Sequence, residues 1–344
     1  MSQAITDRTP REDGFSMPAE WSPHQATLMA WPTRSRAEVW GPLFEQAKRD
    51  YAIVADAIVD VEPVVMVVDP DQEAEARARL PEKVELLPLP IDDSWMRDSG
   101  PIFVRNDSGE VALVHFGFNG WGRRYEPYAR DAEVPAAVAA HMGMRRYVAP
   151  MILEGGAITV DGEGTLVTTE TCLLNPNRNP RLGRADNERF LRDYLGADRV
   201  VWLPGGWTAS RDTDGHVDGV AAFVAPGEVA LFAPTDPADP DHERSRANRR
   251  AIERTVDARG RAITVHSVDP GAVLELTHLN LYLTNGDAAI VPVADVPEDA
   301  VALSQLAEAM PGRRLIPVSG RVLHEGGGGP HCITQQVPAG TPAT

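Results

Sequence analysis

Residues 215–224 read GHVDGVAAFV: a histidine and an aspartate two apart, then an apolar strand pattern. The same shape recurs as WMRDSGPIFV at 95–104, ILEGGAITV at 152–160 and HLNLYLTNG at 278–286, and a cysteine opens a fifth copy, GPHCITQQV, at 329–337. With the apolar stretches aligned, Asp98, Glu154, His216 with Asp218, Asn280, and Cys332 fall near the same place. Related units that deliver two acids, an Asp–His pair and a thiol to equivalent positions point to one shared site. A thiol in such company points to a cysteine nucleophile.

Each copy continues as a hairpin. PIFV (101–104) turns through NDSGE into VALVHF, AITV (157–160) through DGEG into TLVTT, GVAAFV (219–224) through APGE into VALFA, and LNLYLT (279–284) through NGD into AAIVPV. Gly and Asn suit such turns because they accept positive φ at little cost. A helical pattern follows each hairpin, over 131–142, 185–195, 243–257 and 298–309, and then a short apolar strand: RRYVA, RVVWL, AITVH and RRLIPV. The hairpins start at 101, 157, 219 and 279, spaced by 56, 62 and 60 residues. A near-fixed period of this kind signals a repeat architecture. The chain ends supply a fifth unit. ATLMAW (26–31) precedes a helical pattern at 42–60 and the strand PVVMVV (63–68), while CITQQV (332–337) has no partner behind it. Pairing CITQQV with ATLMAW closes a ring and leaves neither strand as an open edge. The expectation is an α/β fold of five units about a pseudo-fivefold axis, its fifth unit closed by the N- and C-terminal strands, with Cys332 near the middle.

The chain has 344 residues, 43% hydrophobic and 24% charged, without a linker or a shift in composition, so the repeat predicts one catalytic domain over 1–344. Residues 1–15 and 338–344 are polar or small and are expected to be loosely ordered. No apolar run approaches the ~20 residues that a membrane helix requires, and no secretion signal opens the chain. Two cysteines, one of them in the candidate site, make no disulfide framework. A cytoplasmic location follows by default. The net charge of −17, from 33 basic and 50 acidic residues, argues against nucleic acid as a partner and suits a cationic ligand. Solubility alone also accounts for such a charge. A homo-oligomer is compatible with this sequence.

Cys332 follows EGGGGPH, a glycine run that lets the backbone approach a ligand closely. A buried inert cysteine behind a loop is the bland alternative; the glycines, His331 and the shared register favour the site. Cys172, in TTETCLLN, lacks such a setting and reads as core or rim. His216 and Asp218 lie two apart, so an extended segment points both side chains to one face. Neither HxD nor HEGGGGPH has the ligand spacing of a zinc site, so neither a metal nor another cofactor is expected. Asp98 and Glu154 each read singly as a solvated acid or a cap. With Asp218 they make three carboxylates around one thiol, and crowded acids raise one another's pKa unless a cation joins them. A planar, permanently charged guanidinium fits best, since carboxylates bind it bidentately.

MPAEWSPHQATLMAWP (17–32), WMRDSGP (95–101), EGGAITVDGEGTLVTTETCLLNPNRNP (154–180), TDGHVDG (213–219) and GGGPHCITQQVP (327–338) together resemble the agmatine deiminase family over nearly the whole chain. That family belongs to the guanidine-modifying superfamily with the pentein fold, a five-bladed α/β propeller. The resemblance implies Cys332 as nucleophile and His216 as general acid and base. It implies Asp98 and Asp218 as the carboxylates that grip the guanidinium, Glu154 as the acid that holds the histidine, and Trp95 as an aromatic lining the substrate channel. Asp212 stands where an acid can meet the substrate's far amine, with Asp214 equally available. The implied reaction is hydrolysis of a guanidine, agmatine foremost, through a covalent cysteine intermediate and without a cofactor.

The chain departs from the family at two places. It reads GGGPHC where GGNIHC is usual, so Pro330 fixes φ there, and its fourth hairpin reads LELTHLNLYLTNG (274–286), in which Tyr282 and Asn280 match only in part. These loops are expected to shape the far end of the pocket. Free arginine or peptide-terminal arginine therefore stay open as substrates; both favour a basic pocket residue, with Arg97 and Arg211 the nearest candidates. Amidinotransfer, a cysteine protease and a catalytically silent binding module are the remaining alternatives.

Overall fold

A computed structural model describes residues 4–271 and 276–344. Their strands form five separate sheets, one of six strands, one of four and three of three. Four of them contain the unit expected from the repeat, an antiparallel hairpin whose second strand pairs in parallel with the strand beyond the helix. Ile102–Asn106 pairs antiparallel with Glu110–Gly117, which runs parallel to Arg146–Ile152. Ile158–Val160, Thr165–Thr169 and Arg199–Leu203 repeat the pattern, as do Ala221–Ala225, Glu228–Phe232 and Thr264–Val268. The fourth set is Tyr282–Thr284, Ala288–Val293 and Arg314–Ser319. Gly109, Gly164, Gly227 and Gly286 all have positive φ at the four hairpin turns, which is why glycine stands there.

In the fifth sheet Thr334–Pro338 lies antiparallel to His24–Ala30, with Thr334 opposite Met29 and Gln336 opposite Thr27. His24–Ala30 in turn runs parallel to Val64–Val68. The pairing of the two chain ends is thus as the unpartnered strand CITQQV requires.

The helices of the five units are Phe44–Val59, Val134–Met142, Arg184–Leu195, His242–Glu253 and Asp299–Ala309. The fourth stops short of the expected 257. Asp257 Oδ1 accepts the N–H groups of Arg259 and Arg261 and makes a turn of its own, a local alternative that competes with the helix. Phe44–Val59 buries an apolar stripe of Ala47, Tyr51, Val54, Ala55 and Ile58, whereas His242–Glu253 buries Ser245 and Asn248 beside Ile252. Each helix also reaches beyond its own sheet. Arg184–Leu195 contacts Arg146–Ile152, His242–Glu253 contacts Arg199–Leu203, Asp299–Ala309 contacts Thr264–Val268, and Phe44–Val59 contacts Arg314–Ser319. Val134 and Val138 share a core with Val65, Val67 and Leu87 of the sheet that holds the N-terminal strand.

The ends require a correction. Ala4–Ile5 pairs with Arg146 and Tyr147, Phe15–Ser16 with Asn106 and Arg105, and Thr341–Pro342 with Glu110 and Val111. These short polar segments cover the strands of the six-stranded sheet and so satisfy backbone groups that an edge leaves open; residues 1–3 lie outside the described residues. Among the described residues, no helix is long and apolar enough to cross a membrane.

Candidate active site

A short helical turn precedes the hairpins and aims the polar residue inward. Asp98 sits on Met96–Ser99, Glu154 just ahead of Gly155–Ala157, and His216 and Asp218 at Val217–Gly219. Asp98, Glu154, His216, Asp218, Asn280 and Cys332 are all buried. The structure brings them together: His216 Nδ1 lies 3.8 Å from Asp98 Oδ1, His216 Nε2 3.9 Å from Glu154 Oε2, and Cys332 Sγ 3.5 Å from Asp218 Oδ2. Asn280 grips the cysteine at two points, accepting from its N–H at 3.3 Å and donating Nδ2–H to Sγ at 3.2 Å. Trp95 stacks on Trp40 with ring centroids 5.7 Å apart, and with Asp98, Trp121, Asp212 and Cys332 it lines one narrow cavity.

Glycines create the space. A Cβ on Gly156 would stand 2.5 Å from His216 Nδ1, 2.8 Å from Asp218 Oδ2 and 2.9 Å from Asp98 Oδ1. The backbone therefore passes through the point where three site groups meet, and Gly156 N–H donates to Asp98 at 3.0 Å. In the glycine run, a Cβ on Gly328 would meet Cys332 Sγ at 2.9 Å and the Trp95 ring at 2.7 Å, and one on Gly329 would meet Asn280 Oδ1 at 2.7 Å.

The charges are finely opposed. Burial pushes the Cys332 thiol well above its ordinary value, and the carboxylates of Asp218 and Asp98 push it further, so the thiol keeps its proton in the empty site. Burial also raises Asp98, aided by Asp218 and Glu154 against the pull of His216. For Asp218, burial is outweighed by His331, whose Nδ1 bonds it at 2.9 Å, and its pKa is lowered. Burial disfavours a charged His216, yet Asp98 and the Cys172 and Glu154 side chains carry its pKa well above the histidine range. Glu154, despite burial, is lowered by His216 and by Arg178, whose Nε donates to it at 2.8 Å.

Several residues stand elsewhere than expected. Cys172 is core, one of the two readings open to it, but the core it joins borders the site: its sulfur lies within 4.8 Å of ligand atoms of both Glu154 and His216. Asp214 is taken up by Arg178, Arg124 and Asn177, whereas Asp212 lines the cavity, so the two acids are not equivalent. Arg97 turns away to Gln336 Oε1, Glu20 and the His331 carbonyl, and Arg211 is exposed. Asn280 holds the thiol instead of shaping the pocket's far end, and Tyr282 is buried against Thr27 and Glu62; Leu274 and Glu275 of that run lie outside the described residues. Other site groups gave no local signal. Trp121, at φ 54 between two glycines of positive φ, donates its indole N–H to Asp98 Oδ2 at 2.8 Å. Glu20 accepts from His331 Nε2 at 3.0 Å, completing a chain Glu20–His331–Asp218–Cys332. The glycine-flanked tryptophan and the acid in MPAEW were visible, but nothing in their neighbours tied them to a thiol 200 residues or more away.

Residues 16–338 match the Porphyromonas-type peptidyl-arginine deiminase family. Agmatine deiminase of Pseudomonas aeruginosa (strain LESB58) is 41% identical, with 96% of this chain and 97% of that protein covered. That of Pseudomonas fluorescens (strain Pf-5) is likewise 41% identical with the same shares covered. Among solved structures, agmatine deiminase of Enterococcus faecalis superposes with a TM-score of 0.94 at 33% identity, over 98% of this chain and all of that one. The chain belongs to the Porphyromonas-type peptidyl-arginine deiminase family and, within it, to the agmatine deiminases.

Proposed function

We propose that this chain hydrolyses the guanidinium group of agmatine to N-carbamoylputrescine and ammonia through a thioether on Cys332. The observation that carries the substrate is the lining of the cavity. Asp98 and Asp218 stand at the thiol, Asp93 and Asp212 line the cavity around it, and among the described residues no arginine or lysine lines it. A substrate with a cation at both ends fits that lining; the carboxylate of arginine finds no counter-charge there.

The steps follow from the charges. Asp98 and Asp218 orient the guanidinium, which converts binding into proximity. The bound cation offsets the two carboxylates that hold the thiol protonated, so with substrate in place the Cys332 thiol loses its proton to solvent and the thiolate attacks the central carbon. His216, kept charged by its acidic neighbours, gives its proton to the departing nitrogen, and ammonia leaves. The neutral imidazole then takes a proton from water, which attacks the amidino-thioether, and the thiol is regenerated. Glu154, anchored by Arg178, orients His216; Trp95 and Trp121 wall the substrate, and Asp212 receives its far amine. We also infer that the five sheets are blades of one propeller about a pseudo-fivefold axis, over a single domain. Repetition of one strand order and the packing of each helix against a neighbouring sheet support that arrangement.

The test is ammonia release without added metal from agmatine, free arginine and a peptide ending in arginine, with Cys332→Ala as blank. Release from agmatine at least ~10²-fold more efficient than from the others is expected. Preference for either arginine substrate overturns the substrate, and wild type matching the blank on all three overturns the reaction. Asp98→Asn lowers kcat/KM for agmatine by ~10² or more, the size of a positioning effect; the activity of a cysteine protease, whose Cys–His pair needs no such carboxylate, would be spared.

A further inference from the structure

We propose that Glu154, Cys172 and His216 form a binding site for one zinc-class divalent ion, which when filled withdraws His216 from the reaction. The ligand atoms of all three lie within 4.8 Å of one another, and all three side chains are buried. A carboxylate, a thiol and an imidazole are the donor set that such ions select. Glu154 Oε2 and His216 Nε2 have no hydrogen-bond partner, an uncommon state for buried polar atoms. They stand 3.9 Å apart, too far for a hydrogen bond. Two ligands about 2.0–2.2 Å from a shared tetrahedral ion stand ~3.3–3.5 Å apart, so small side-chain rotations close the site.

The surroundings complete the pattern. Arg178 holds the other oxygen of Glu154 at 2.8 Å, which leaves Oε2 aimed at the gap. His216 Nδ1, also without a hydrogen-bond partner, faces Asp98 Oδ1 at 3.8 Å, so the ring rotation that brings Nε2 to the ion has a carboxylate on its other side to receive Nδ1–H. Cys172 is set on the first turn of Glu170–Leu173, whose start Thr169 caps by accepting the Cys172 N–H at 3.3 Å. When the ion binds, the Cys172 S–H bond and the Nε2–H bond of the charged His216 are replaced by bonds to the metal, and both protons pass to solvent; no electrons are transferred. Three protein ligands leave a fourth position for water. The consequence is reversible inhibition through a sulfur other than the proposed nucleophile.

Cobalt(II) serves as the probe, added alone to the full-length Cys332→Ala protein, in which Cys172 is the remaining thiol. A thiolate-to-cobalt absorption band with saturation at one ion per chain, and its displacement by zinc(II), is expected. The band disappears in the Cys332→Ala, Cys172→Ser double variant. Glu154→Gln on the Cys332→Ala background, a second variant in case the first does not fold, weakens cobalt binding by about tenfold or more. No band in Cys332→Ala, a band that survives loss of Cys172, or unchanged affinity in Glu154→Gln overturns the site. Cobalt binding makes no use of agmatine, so a failure of agmatine turnover leaves this result readable.

Discussion

Gly156 shows how much chemistry one missing methyl group can permit. Its backbone runs between His216, Asp218 and Asp98, and a Cβ would enter the space where a substrate's nitrogens must meet these groups. Gly156→Ala is expected to lower kcat/KM for agmatine by ~10² or more, since misplacement by about 1 Å costs that much. The same clash should lower its urea midpoint, since overpacking a buried site costs about 1–3 kcal/mol. Retained turnover would show that the carboxylates and histidine tolerate displacement. Cys332 offers a second test at this scale. Its raised pKa means that the thiolate fraction in the empty enzyme grows as pH rises and stays small below the ordinary thiol value of 9.0. Alkylation by neutral iodoacetamide should therefore climb about tenfold per pH unit without levelling off below that value. A cationic haloacetamidine, which supplies the positive charge itself, should react rapidly near neutral pH. A plateau for iodoacetamide near pH 7 would mean that the thiolate forms without a bound cation.

At the scale of elements, the join between the N-terminal strand and the fourth hairpin rests on one buried acid. Glu62 accepts from His24 Nδ1 at 3.1 Å, from the Thr27 hydroxyl, from Tyr282 at 3.3 Å and from the Asn285 N–H at 2.7 Å. Burial opposes its ionisation, but His24 and these donors lower its pKa. Glu62→Ala strands several buried donors at once and should cost about 3 kcal/mol in urea unfolding. A loss below about 1 kcal/mol would mean that apolar contacts and the two His24–Asn285 hydrogen bonds hold the elements without Glu62. The hairpins themselves were legible in advance because a two-residue alternation and a Gly-bearing turn are local properties. The fourth hairpin was read too long at its start: Asn280 N–H bonds back to Thr277 O, and the strand begins only at Tyr282. That turn is what frees Asn280 to grip Cys332, so the departure from strand pattern coincides with the site.

For the whole molecule, the decisive contacts are those that tie the chain ends into sheets begun elsewhere. Ala339 N–H bonds Pro23 O at 2.7 Å, Thr341 N–H bonds Gly109 O at 3.0 Å, Ala343 N–H bonds Val111 O at 2.8 Å, and Arg145 N–H bonds Ala343 O at 2.6 Å. Removing residues 339–344 should therefore destabilise the protein by about 2–4 kcal/mol, at roughly 1 kcal/mol per bond. It should leave kcat at 25 °C within about twofold, because every candidate site group is retained. An unchanged urea midpoint would return these residues to the loose tail that their composition suggested.

The sequence alone determined the repeating unit, the pairing of CITQQV with ATLMAW, and the meeting of Asp98, Glu154, His216, Asp218 and Cys332. These follow from periodicity and from the equivalence of positions in repeated units, which survive without knowledge of any contact. Only the tertiary structure decided which further groups share that space. His331 joins Asp218 across 113 positions of chain and Glu20 across 311. Arg178 rather than solvent anchors Glu154, Asp212 rather than Asp214 faces the cavity, and Cys172, a core residue as one of its two readings had it, lies against the histidine. Such groups lie outside the repeated positions, so no local pattern marks them. Their place is set by which sheets and loops pack together, and burial then fixes the charge that each can carry.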